Sequence, residues 1–221
     1  MFKKVIYATV LMALCAINAG AQSWRWGIEG GLNVSRPINA NGARVGFNAG
    51  VKGIFDLNPT TNNWYFDAAV KLSSKPSKYI GETGFFDAGA TLIEMPSTVF
   101  EERSTPYYLD IPIHAGYHFN VGQSVKIFAG VGPYLAVGLF GPSTYSLFKG
   151  LGGWNDTKIN NVFKSSYYND AMKRFDVGLS ACVGMEFFDH IQFSVGYDLG
   201  FIELDNSLYN QNISFSVAYI F

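Results

Sequence analysis

The chain has 221 residues, of which 48% are hydrophobic, 16% aromatic and only 15% charged, with a formal net charge of −1. The length suits a single domain, and the charge balance excludes a basic nucleic-acid surface. The charged fraction lies well below the usual level of roughly 25%.

Residues 1–21 read as a separate unit, a secretory signal peptide ahead of a mature chain spanning 22–221. Lys3 and Lys4 form a basic start, the stretch from Val5 to Ile17 is apolar, and Ala19-Gly20-Ala21 is a small-residue cleavage signal. The apolar run is too short for a transmembrane helix, which needs about 20 residues. Cys15 raises a lipoprotein signal, but the bulky Leu14 before it argues against one. Removal of this segment leaves a net charge of −3 and Cys182 as the remaining cysteine, so no intrachain disulfide can form.

Eight segments then alternate with period two, the mark of strands whose side chains point to opposite faces. In 24–34, Trp24, Trp26, Ile28, Leu32 and Val34 oppose Arg25, Glu29 and Asn33. In 45–55, Val45, Phe47, Val51 and Phe55 oppose Asn48 and Lys52. In 64–72, Trp64, Phe66, Val70 and Leu72 oppose Tyr65, Asp67 and Lys71. In 107–119, Leu109, Ile111, Ile113, Tyr117 and Phe119 oppose Tyr108, Asp110, His114 and His118. In 125–137, Val125, Ile127, Val131 and Leu135 oppose Lys126, Phe128 and Tyr134. In 175–187, Phe175, Leu179, Val183, Met185 and Phe187 oppose Asp176, Ser180, Cys182 and Glu186. In 191–201, Ile191, Phe193, Val195, Tyr197, Leu199 and Phe201 oppose Gln192, Ser194 and Asp198. In 213–221, Ile213, Phe215, Val217, Tyr219 and Phe221 oppose Ser214, Ser216 and Ala218.

The apolar faces carry no charge at any position, whereas the opposite faces hold Arg25, Glu29, Lys52, Asp67, Lys71, Asp110, Lys126, Asp176, Glu186 and Asp198. A soluble barrel would put charge outside. The reverse order is explained if the apolar face meets lipid, where an Arg or Lys at the midplane costs about 2–4 kcal/mol. Lipid also requires every backbone group to be paired, hence a closed sheet. Short connections at 56–63, 120–124 and 188–190 alternate with long ones at 35–44, 73–106, 138–174 and 202–212, as periplasmic turns alternate with outer loops. Aromatics gather toward the short-turn end as an interfacial girdle. The expectation is an all-β fold: an eight-stranded antiparallel transmembrane barrel in the outer membrane of a Gram-negative cell.

The runs YYLDIPIHAGYHF (107–119), KIFAGVGPYLAVGLFG (126–141) and FDVGLSACVGMEFFDHIQFSVGYDLG (175–200) resemble the outer-membrane β-barrel domain common in Bacteroidota, a family that includes the PorT-type barrels. Its L-x-I-P is met by Leu109 and Ile111-Pro112, and its A-G-x-G-P-Y by Ala129-Gly130 and Gly132-Pro133-Tyr134. Its F-D-x-G and G-x-E-F are met by Phe175-Asp176, Gly178, Gly184 and Glu186-Phe187. WGIEGGLNVS (26–35) fits the first strand. The resemblance implies the fold over nearly the whole mature chain and a place in an envelope or secretion complex.

Asp110, His114 and His118 share one face of a strand, but residues four apart lie about 13 Å apart, too far for one metal ion whose ligands sit about 2 Å from it. A Ser–His–Asp set would need Ser194 or Ser180 brought beside His114 by another strand. The charged groups, with His114 and His118, read instead as a structural lumen network. An eight-stranded interior is just wide enough for side chains to fill, so Lys126 and Asp110 are expected among the paired charges of one narrow, plugged interior. The chain is read as a non-enzyme without cofactor or metal. Its partners are the outer-membrane bilayer and a protein met by the aromatic-rich loops 73–106 and 138–174; self-packing of those aromatics over the barrel mouth is the competing reading. A narrow channel for small solutes or ions is the alternative function.

Overall fold

A computed structural model describes residues 23–57, 63–83, 86–87, 92–93, 98–148, 154–164, 171–205 and 208–221. The expected signal segment 1–21 lies outside the described residues. In chain order the strands are β1 (Ser23–Ser35), β2 (Arg44–Asp56), β3 (Trp64–Ser74), β4 (Ser77–Thr83), β5 (Phe86–Asp87), β6 (Leu92–Ile93), β7 (Thr98–Ser104), β8 (Tyr107–Asn120), β9 (Val125–Phe140), β10 (Ser143–Phe148), β11 (Trp154–Ile159), β12 (Phe175–Phe187), β13 (Ile191–Asp205) and β14 (Leu208–Ile220).

Eight of them close a barrel in the order β1-β14-β13-β12-β9-β8-β3-β2. Closure is antiparallel, with Ile28 opposite Tyr219 and Val34 opposite Ile213. Period two sets the faces. Along β14, Ser214, Ser216, Ala218 and Ile220 are buried while Phe215, Val217 and Tyr219 stand outside. Val131 and Val183 are 57% and 52% exposed in the middle of their strands. Apolar exposure of that kind, continuous round the wall, is stable only against acyl chains.

Aromatic side chains rim both ends. At the short-turn end Trp24 packs edge-on to Trp26 at 5.0 Å and Trp64 to Tyr117 at 5.2 Å. At the other end Tyr107 stacks on Phe140 at 4.7 Å with Phe47 beside it. The turn at 188–190 is tight, and both Phe188 (φ 54°) and Asp189 (φ 62°) adopt left-handed backbone, as primed hairpin turns require.

The two long connections, expected as loops, carry a sheet of their own. β4 continues β3, β7 leads into β8 and β10 continues β9, and with β11 they pair in the order β11-β10-β7-β4. The barrel wall thus rises beyond the membrane on one side. The alternation that marks a strand in lipid is not demanded above it, so Ser77-Lys78-Tyr79-Ile80 gave no sign of pairing. For the same reason β9 runs on to Phe140, β13 to Asp205, and β14 starts at Leu208 rather than at 213.

Candidate functional site

The lumen is filled in layers, each set by which inward rows the register brings level. Nearest the short turns, Arg25 of β1 bridges Asp56 of β2 (2.9 Å) and Glu186 of β12 (3.0 Å), and Gln192 of β13 donates to Glu186 at 2.6 Å. Lys126 stands at this rim, with Glu186 at 3.7 Å and Asp189 beside it. Hydrogen bonding from Lys126 holds the Asp189 carboxyl in the turn below the usual range. Above the rim lies an apolar layer of Ile54, Tyr65, Phe128, Ala218 and Ile220. His118 belongs to this level, its ring tilted 34° against the Tyr65 ring with centroids 4.3 Å apart, and its Nδ1 3.8 Å from Asp56.

The central layer is charged. Asp67 of β3 and His114 of β8 are direct cross-strand partners. His114 Nδ1 lies 2.7 Å from Asp67 Oδ1, and His114 Nε2 lies 2.9 Å from Ser180 Oγ of β12. Ser180 donates to Asp198 Oδ1 of β13 at 2.7 Å, and Asn212 donates to the other Asp198 oxygen. Lys52 pairs with Asp67 at 3.1 Å and Lys71 with Glu29 at 3.6 Å. A cavity of about 30 Å³ remains among Glu29, Lys52, Asp67, His114, Cys182 and Asp198, room for about two water molecules.

Toward the long loops Lys75 meets Asp110 at 3.0 Å and lies over the Tyr134 ring at 4.7 Å. Tyr134 and Asn210 both donate to Asp176, each at 2.7 Å. A second apolar layer of Tyr108, Tyr134, Ala136, Val162 and Phe163 closes this mouth. Val162 and Phe163, in the described part 154–164 of the connection 138–174, point into the barrel mouth. Phe163 fits only because residue 138 is Gly, since a Cβ there would lie 2.3 Å from the ring.

Lys126 and Asp110, both expected in one narrow interior, stand at opposite ends of it. Asp110 is opposite Ala136, whereas Lys126 is opposite Asn120 at the far end of the same ladder. Lys126 is also a rim group, its side chain 34% exposed. Asp110 pairs with Lys75, which follows β3 in the long connection 73–106, and Asp56, in the short connection 56–63, completes the Arg25 bridge. A signal for both existed. The inward row of β3 runs 65, 67, 69, 71, 73 and on to 75, and that of β2 runs 48, 50, 52, 54 and on to 56. In β3 the outward row ceases to be apolar at Ser74, which hides the inward row's continuation to Lys75.

Ser180 does reach His114, so an Asp–His–Ser series exists. Its protons run the wrong way for nucleophilic catalysis. The Ser180 proton is spent on Asp198, and Asp67 is an acceptor, so both ring nitrogens of His114 donate. A serine nucleophile needs an imidazole lone pair to take its proton, and the 30 Å³ cavity admits no acyl group.

Residues 20–206 match the family described as outer membrane protein beta-barrel domain. No curated protein matches the chain. Among solved structures, Neisserial surface protein A (NspA) is similar at 16% identity over 91% of this chain and 98% of that chain, with a TM-score of 0.42. Ail, the attachment invasion locus protein of Yersinia pestis, in complex with the heparin analogue sucrose octasulfate, is similar at 15% identity over 90% and 99%, with a TM-score of 0.38. The N-terminal β-barrel domain of Pseudomonas aeruginosa OprF is similar at 12% identity over 88% and 97%, with a TM-score of 0.30. With a closed barrel of lipid-facing apolar rows and the family match over most of its length, the chain belongs to the outer membrane protein β-barrel domain family and resides in the outer membrane.

Proposed function

We propose that this barrel is a plugged, membrane-held platform that presents its outer sheet to a protein partner, within an envelope or secretion complex of the kind the PorT-type resemblance implies. The observation that carries this reading is the lumen. Among the described residues, two apolar layers bracket a charged layer whose cavity measures about 30 Å³, too small for a solute pathway. The paired charges then hold one barrel geometry rather than line a passage, because each buried ion needs its partner. The outer sheet has the character of a contact surface. Tyr79, Ile80 and Trp154 are exposed large side chains on it, and aromatic residues are enriched where proteins meet.

The test has two arms. In planar bilayers the purified barrel passes no ion current above that of the lipid alone. In native membranes, a photoactivatable amino acid at Tyr79 crosslinks to a discrete protein, and one at Val131 on the lipid face does not. Steady single-channel conductance would replace this reading with the narrow channel.

A further inference from the structure

Asp67, His114 and Cys182 come from three strands, β3, β8 and β12, and place one carboxylate oxygen, one imidazole nitrogen and one sulfur within 4.8 Å of one another. The shared point is the Nδ1 edge of His114, 2.7 Å from Asp67 Oδ1 and 3.9 Å from Cys182 Sγ. Ligands on one tetrahedral zinc ion stand about 3.3–3.8 Å apart, given Zn–N near 2.0–2.1 Å and Zn–S near 2.3 Å. The geometry points to a binding site for a single divalent transition-metal ion, zinc by ligand type, held by Asp67 Oδ1, His114 Nδ1 and Cys182 Sγ in the middle of the lumen.

Three further features fit a metal. The groups behind the ligands are in place: Ser180, itself tied to Asp198, holds His114 Nε2, and Lys52 holds Asp67 on its other oxygen. Metal-bound imidazoles are oriented in this way. Residue 130 on β9, between β8 and β12, is Gly; a Cβ there would lie 3.0 Å from the Tyr65 hydroxyl and 3.2 Å from His114 Cβ, so its absence leaves room for the His114 ligand, while Cys182 Sγ at 3.5 Å would be in ordinary contact. The cavity lined by all three ligands has room for a water as fourth ligand.

Charge also balances. Without metal the cluster holds an aspartate, a doubly protonated imidazole and a thiol, with no net charge. On binding, the His114 Nδ1 proton and the Cys182 thiol proton leave to water, and bonds form from the ion to Nδ1, Sγ and Oδ1. Aspartate, thiolate, neutral imidazole and a divalent ion again sum to zero, so the buried site exchanges two protons for one ion without adding buried charge. Because the apolar layers close both ends, the ion enters as the barrel folds.

The full chain is therefore refolded from urea into detergent with cobalt(II), then desalted. One cobalt per folded barrel is expected, with thiolate-to-cobalt charge-transfer absorption that zinc abolishes when present during refolding. Cys182→Ser folds to the heat-modifiable form and lacks that absorption. Ser180→Ala keeps the ligands and weakens binding by about 10–100-fold, while Ser194→Ala, which lines the same cavity, binds as wild type. A folded wild-type barrel without stoichiometric metal, or undiminished cobalt binding in folded Cys182→Ser, overturns the site.

Discussion

Lys75 Nζ lies 3.0 Å from Asp110 Oδ2, although Lys75 stands beyond the end of β3 and Asp110 is in the fourth wall strand, β8. Both are buried, Lys75 at 1% and Asp110 at 3% exposure, so neither can turn to water when the other is removed. Asp110→Ala should cost about 3–5 kcal/mol by leaving an uncompensated buried charge. The double change Asp110→Leu with Lys75→Met should recover most of that loss. The measurement is the temperature at which heat-modifiable gel mobility is lost. Equal temperatures for Asp110→Ala and wild type would mean the pair does not support the barrel.

The lipid face predicts a different kind of failure. Val195 of β13 is opposite Val183 of β12, both outward and flanked by apolar side chains. Val195→Lys should weaken folding into liposomes by about 2–4 kcal/mol if it lies at the midplane. Urea titration of folding reads this directly, and a wild-type midpoint would place Val195 outside the hydrocarbon.

The inward-folded segment gives a prediction that separates cap from plug. Phe163 meets Tyr108 edge-on at 5.5 Å, with the Arg174 guanidinium 5.4 Å from its ring centre. Phe163→Ala should lose about 3–5 kcal/mol of local packing and speed proteolysis near 160–164. Bilayer conductance should stay at the background level, because the charged layer and the Tyr65–Phe128 layer below remain. A current in Phe163→Ala would show that the cap alone closes the barrel.

Sidedness follows from the connections. Lys158 on β11 is exposed on the outer sheet, and Asp189 sits in the tight turn at the opposite end. With Cys182 replaced by Ala, Lys158→Cys should react with an impermeant maleimide on intact cells. Asp189→Cys should react only after the outer membrane is permeabilised. The reverse pattern would invert the topology.

The outer sheet should loosen only in acid. Burial by itself would push the Glu101 carboxyl up, but hydrogen bonds from Arg103 and Lys78 outweigh it and hold the group below its ordinary value. A depressed folded value means the stabilisation is present above the unfolded value, about 4.3, and is lost as pH falls through the folded one. Amide protection in β4 and β7, corrected for intrinsic exchange, should stay level from pH 7 to about 5 and fall only below about 4. Loosening nearer neutrality would assign the change to another group.

What the residues by themselves determine is the wall. Phe215 and Val217 against Ser214 and Ser216 fix outside and inside, because period two is a property of the extended backbone and needs no partner to be visible. The same pattern, with short and long connections, specifies closure, since lipid leaves no other place for the backbone groups. Which inward residues meet is a property of register between strands, and no single strand contains it. Hence Asp110 could be placed in the lumen from its own neighbours, while its pairing with Lys75 was decided by the ladders to β3 and β9. His114 was legible as an inward histidine, but the residues that meet its ring come from other strands and could not be read from its own. Asp67 lies directly opposite it and Cys182 two strands away, a few ångströms in space and 47 and 68 residues in sequence. The outer sheet was illegible for the opposite reason. Above the membrane water satisfies either face, so β4, β7, β10 and β11 owe their pairing to the wall strands that lead into them and not to a pattern of their own.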